Sequence, residues 1–86
     1  MIDQDIKKFV LRRLLQKNGE PATATELKLA IRSAFSVAFT EGELDNYLSQ
    51  LLDSNLASTA RDEFDQILFG LTPKGTLAAQ RLIKIT

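Results

Sequence analysis

Neither cysteine nor histidine occurs anywhere in this chain of 86 residues. Without cysteine there is no disulfide and no thiolate metal site to hold a small domain together, an absence that fits a reducing compartment. Without histidine the commonest general acid–base, a frequent metal ligand and the histidine-dependent triads are excluded as well. Chemistry would be left to carboxylates, lysines and hydroxyls, and no constellation of these stands out. The sequence therefore reads as a non-enzyme with no catalytic residues, no metal and no cofactor. Long apolar runs are missing too: none approaches the ~20 residues that cross a bilayer, so no membrane role is expected. The opening Met1-Ile2-Asp3-Gln4-Asp5 is acidic where a secretory signal would be basic, so a cytoplasmic location is expected.

What is present has room for one domain, residues 1–86, around one core. A domain of this size buries only about two-thirds of its unfolded surface, so modest stability is expected. Eleven bases balance eleven acids, but unevenly. Residues 1–32 hold seven bases and four acids, whereas 33–60 hold Glu41, Glu43, Asp45 and Asp53 with no base. Arg61 then stands among Asp62, Glu63 and Asp65, and the tail returns three bases, Lys74, Arg81 and Lys84. The layout matters because a nucleic-acid surface needs its positive charge on the docking face.

Periodicity and punctuation give the elements. Ile6, Phe9, Val10 and Leu14, widened by Leu11 and Leu15, predict a first helix from about Asp3 to Lys17. Asp3 is its expected N-cap and Asn18-Gly19 its stop. Leu11 and Leu15 belong either to a broad core or to a dimer seam. Glu20-Pro21-Ala22 is a connector with room for a short strand. Thr23-Ala24-Thr25-Glu26 matches a capping box and opens a second helix, with Leu27, Ala30, Ile31 and Ala34 inward and Lys28, Arg32 and Ser33 outward. The turn Phe35-Ser36-Val37-Ala38-Phe39 is longer and more apolar than the usual helix-turn-helix connection. Either the second helix extends through it, or Val37 and Phe39 tuck beneath the third helix, or the turn is a partner-binding patch.

Thr40-Glu41-Gly42-Glu43 is a second capping box, and its early carboxylates suit a helix N-terminus. Leu44, Tyr47, Leu48, Leu51 and Leu52 give the third helix one continuous apolar face. Asn55 stands where a left-handed residue ends a helix, with Leu56 as the apolar contact beyond it. Ala57–Arg61 and Gln66–Leu71 read as two strands joined around Asp62-Glu63-Phe64-Asp65, with Ile67, Phe69 and Leu71 facing inward. Phe64 either folds back on this hairpin or stands out as a contact. Thr72-Pro73 starts a last helix striped by Leu77, Ala78, Leu82 and Ile85, ending at Thr86.

The order α-(β)-α-α-β-β-α, closed by Leu71-Thr72-Pro73-Lys74-Gly75, resembles the winged helix-turn-helix domain of MarR- and PadR-type bacterial transcriptional regulators. Glu26-Leu27 and the stretch from Leu51 to Leu56 add to the likeness, which covers nearly the whole chain. The resemblance implies a mainly α fold with a small β-wing (α+β). It also implies binding of double-stranded DNA with the third helix in the major groove. Asn46, Ser49 and Gln50 would then face bases, and Lys28, Arg32, Arg61 and Lys74 phosphates. Related regulators carry bases on the third helix and wing, where this chain has acids. An alternative therefore stands beside it: Glu41, Asp45, Asp53, Asp62, Glu63, Phe64 and Asp65 dock a basic protein partner. A homodimer through the first and last helices would suit a palindromic site.

Overall fold

In the computed structural model, residues 2–17 and 20–85 are described, with the side chains of 4–17 and 20–82. The elements run α1 (Ile2–Gln16), β1 (Ala22–Thr23), α2 (Ala24–Ala34), α3 (Glu41–Asp53), β2 (Ala57–Arg61), β3 (Ile67–Leu71) and α4 (Pro73–Ile85). The three strands form one antiparallel sheet in the order β1-β3-β2. β2 and β3 make the hairpin, from Ala57 opposite Leu71 to Arg61 opposite Ile67. The short β1 covers the other side of β3, pairing Ala22 with Phe69 and Thr23 with Leu68. The expected α+β architecture is the observed one.

The core lies where one face of each helix meets the inner face of the sheet. Ile6, Val10, Leu11 and Leu14 come from α1, Leu27 and Ile31 from α2, and Leu44, Tyr47, Leu48 and Leu51 from α3, with Phe69 and Ala79 closing the other sides. Leu11 is buried and Leu15 packs at the edge of this cluster, so both serve the core of one chain. No charged side chain is buried among the described residues, and Tyr47 is the one core residue with a polar side-chain atom. α1 and α4 pack on each other within the chain, and a homodimer through them would use only what they leave outside, such as Leu77.

The apolar turn resolves into a string of rings. α2 stops at Ala34, and Phe35, Phe39 and Tyr47 continue a run of edge-to-face contacts that begins at Phe9. Centroid distances are 5.6, 6.5 and 6.0 Å and interplanar angles 83°, 84° and 89°. Such contacts add about 0.5–1.5 kcal/mol per pair beyond area burial, and here they tie α1 through the turn to α3. Phe39 tucks in as expected, whereas Val37 stays exposed.

Several local expectations shift. Ala34 is exposed because α2 ends there. In α4 Ala79 is buried, Ala78 and Leu82 pack at the edge of the core as expected, and Leu77 stands 58% exposed. One turn before Ala79, Gly75 lies against the backbone of Leu56, and the helix packs mainly on α1. Ile67 is half outside because it sits at the free end of the hairpin, beyond the helices that cover Phe69. The Thr23 hydroxyl accepts from the Glu26 amide, but the Glu26 carboxylate turns to Lys17 at 2.7 Å instead of completing the capping box. α1 is already helical at Ile2, one residue before the Asp3 read as its cap. The Asn18-Gly19 stop, the Thr86 end and the side chains of Asp3 and Ile85 lie outside the described residues.

The motif from Leu71 to Gly75 is a clasp between the end of α3 and the start of α4. α3 ends on Asn55 at φ 59°, with Leu56 N–H donating to the Leu51 carbonyl and Asn55 N–H to that of Leu52, both at 3.0 Å. This is a Schellman stop. The Thr72 N–H donates to the Leu56 carbonyl at 3.2 Å, while its hydroxyl donates to the Asn55 carbonyl and accepts from the Gly75 N–H at 3.0 Å. Lys74 adds its ammonium to the Ser54 carbonyl at 3.1 Å, on the negative end of α3.

Gly75 completes the clasp through space alone: a Cβ built on it would lie 1.8 Å from the Leu56 carbonyl oxygen. Two glycine substitutions should therefore differ in sign. Gly75→Ala forces backbone apart and is expected to cost about 3 kcal/mol or more. Gly42→Ala, whose Cβ would meet nothing nearer than the Thr40 hydroxyl at 3.9 Å, should gain about 0.5–1 kcal/mol from helix propensity. Urea unfolding of the two variants measures both.

Candidate nucleic-acid interface

α3 begins with a complete capping box. The Thr40 hydroxyl accepts from the Glu43 amide at 3.1 Å, and the Glu43 carboxylate accepts from the Thr40 amide at 2.9 Å. With Leu44, Tyr47, Leu48 and Leu51 buried, the helix presents Gly42, Asp45, Asn46, Ser49 and Asp53 outward and leaves Gln50 half-exposed. The side chains of Asn46, Ser49 and Gln50 make no hydrogen bond among the described residues. Three amide or hydroxyl groups are thus displayed along one face with their donors and acceptors unspent, the chemistry that reads base edges.

The charges around this face are paired across helices. Lys28 of α2 reaches Asp45 at 2.7 Å and Glu41 at 2.9 Å, and Arg32, one turn further along α2, reaches the other Glu41 oxygen at 3.0 Å. Two bases and two acids cancel. The hydrogen bond from Lys28, followed by that from Arg32, holds the Glu41 carboxyl below its ordinary value of 4.5. The hydrogen bond to Asp45, followed by that to Glu41, raises Lys28 above its ordinary 10.5. The Lys28 and Arg32 expected to face phosphate thus stand beside α3 already holding carboxylates. Nothing local in the sequence announces this, since the partners are 13 and 9 residues apart for Glu41.

Between α3 and the hairpin lies a cleft of about 590 Å³. It brings Lys28, Asp45, Ser49 and Arg61 to one place, over an apolar floor that includes Leu48, Leu52 and Ile67. At the tip, Arg61 pairs with Asp65 at 2.8 Å, and Asp65 adopts φ 63°. One Asp62 oxygen accepts from the amides of Phe64 and Gln66, each at 2.9 Å. Glu63 is exposed and Phe64 is 78% exposed, standing out from the hairpin instead of folding back on it. Arg32 and Lys74 mark the two ends of α3 and do not line the cleft. Asp53 is exposed in the last helical turn without an ion pair among the described residues.

A second helix of a helix-turn-helix unit with an adjacent two-stranded wing, the sheet completed by a strand before α2, decides the architecture. The fold is a winged helix-turn-helix. Solved structures agree. A cysteine-to-serine variant of ZitR from Lactococcus lactis matches with a TM-score of 0.73 at 16% identity, over 93% of this chain and 50% of that one. A ZitR cysteine and histidine double variant in apo form matches at 0.75 and 15% identity, over 95% and 57%. The chain thus spans about half the length of these neighbours. No family model and no curated protein matches its sequence.

The network between α2 and α3 has a defined pH window. Glu41, its carboxyl depressed, contributes stability that is present above the unfolded value of 4.5 and lost as pH falls through the lower folded value. Lys28, raised, contributes stability present below 10.5 and lost as pH climbs through its higher folded value. Carboxyl titration by NMR should find Glu41 ionising below 4.5, and Lys28→Gln should move it upward. A Glu41 titration unchanged by Lys28→Gln would show that the pair does not form.

Proposed function

We propose that this chain is the DNA-binding module of a cytoplasmic transcriptional regulator, reading duplex DNA with the exposed face of α3. The observation that carries the reading is the unspent row Asn46, Ser49 and Gln50 on the helix that the winged-helix fold turns outward beside its wing. Asn and Gln can bond bidentately to adenine, and Ser accepts or donates to either partner of a base pair. Affinity on this reading comes from Lys28, Arg32 and Arg61 exchanging carboxylates for phosphates. The pairs of Arg32 and Arg61 are exposed and worth only about 0–1 kcal/mol, so their exchange is inexpensive, whereas Lys28, its side chain 17% exposed, must leave two carboxylates. Lys74 contributes to the clasp and stands apart from this surface.

Neutralising the competing acids is the direct test. Glu41→Gln with Asp45→Asn frees two cations, which should tighten duplex binding about tenfold and steepen the salt dependence by roughly 1.8 in log–log slope. Asn46→Ala or Gln50→Ala should instead cost about 1–3 kcal/mol at one base position and leave the salt slope unchanged. Fluorescence anisotropy on a random-sequence duplex pool across a salt series checks the first, and sequencing the fraction of the pool bound by each variant checks the second. Absence of binding by the acid-neutralised variant at micromolar protein would exclude the DNA reading.

A second reading, a docking surface for a basic protein, is favoured by the wing tip. There three acids accompany one base around an exposed ring.

A further inference from the structure

The wing tip is built to hold one aromatic ring in the open. Two backbone amides bonded to the Asp62 carboxylate, the Arg61–Asp65 pair and the left-handed Asp65 fix the turn around Phe64, which is 78% exposed. A ring displayed on a fixed turn has little freedom left to lose on docking, as an interface anchor requires. Asp62, Glu63 and Asp65 against Arg61 leave the tip at −2, a charge that repels phosphate and attracts a basic rim.

The complementary surface is present on the same molecule. α1 and α2 leave a shallow groove of about 480 Å³ over Phe9, Leu29, Ala30 and Ala34, with Leu29 58% exposed. At Phe9 and Arg13 it runs into a smaller hollow of about 230 Å³ that Arg12 also lines. Glu26 at the groove is taken by Lys17 at 2.7 Å, whereas Arg12 and Arg13 form no ion pair among the described residues. The groove is therefore apolar at its floor and +2 at its rim, the inverse of the tip.

We propose that the wing tip of one copy docks into the α1–α2 groove of a second copy, with Phe64 on the apolar floor and the tip carboxylates on Arg12 and Arg13. The inference takes up the second reading above and commits its basic partner to this chain itself; it shares Arg61 with the DNA reading, and its test uses no DNA. Tip and groove share no residue, so one copy can give a tip and receive another. The contact is small, with one aromatic anchor, and belongs to the weak class of interfaces, with a Kd on the order of 100 µM at low salt. It weakens as salt shortens the reach of exposed charges from about 10 Å at 0.1 M to about 3 Å at 1 M.

Sedimentation velocity of the full 86-residue chain tests it without DNA. The expected result is mass growing with concentration across about 20 µM to 1 mM, reversed by added salt. Phe64→Ser, which keeps the groove, and the double variant Arg12→Glu with Arg13→Glu, which keeps the tip, should each stay monomeric. Their equimolar mixture should form a dimer and nothing larger, because one intact tip then meets one intact groove. Since all three positions are exposed, circular dichroism should show both variants folded. A wild-type chain that stays monomeric at low salt, a Phe64→Ser variant that associates as wild type does, or a mixture that fails to pair would each overturn the proposal.

Discussion

The first turn of α4 lies against the backbone of Leu56 so closely that only glycine fits at position 75, and much of the C-terminal half is set by that approach. It brings Thr72 within reach of two carbonyls beyond the end of α3, Asn55 and Leu56, and Lys74 within reach of the Ser54 carbonyl. The groups left over at the end of one helix are thereby satisfied by the start of another. The same junction fixes where β2 leaves α3 and where β3 enters α4, so the hairpin is held at both roots. The residues carrying the family likeness are thus structural in this chain, and they speak for the scaffold more than for what it binds.

Helix ends were legible in the sequence because their signals act over three or four residues. The Thr40 box and the Asn55 stop are complete in a short window, and Thr72-Pro73 likewise marks its helix start without reference to anything distant. The strands were legible for a similar reason, since alternation around an acidic turn needs only local context. What escaped were contacts decided by how elements cross. Lys28 meets Asp45 across two helices whose relative placement is set by the packed core, and periodicity cannot show that placement. In α4 the buried side runs through Gly75 and Ala79 with Ala78 and Leu82 at its edge, and Leu77 is left outside because Gly75 faces the Leu56 backbone.

The electrostatic asymmetry survives folding but changes meaning. Along the chain, the third helix reads as an acidic segment with no base. In space, Glu41 and Asp45 are balanced by Lys28 and Arg32 of α2, and negative charge without a cation partner persists at Glu43, which caps its own helix, at Asp53 and around the wing tip. Arg12 and Arg13 of α1 stand beside an apolar groove between α1 and α2. A neutral total charge therefore describes two opposed surfaces more than a uniform one.

The uncharged core has a consequence for such a surface. Among the described residues no charged side chain is buried, so folding leaves the sign of the charges outside largely open. Acid can replace base on the outer face of α3 or at the hairpin turn while the interior is indifferent, provided the local turn bonds are kept. The scaffold acts as a mount whose faceplate is exchangeable, so one interior can carry outer faces of either polarity.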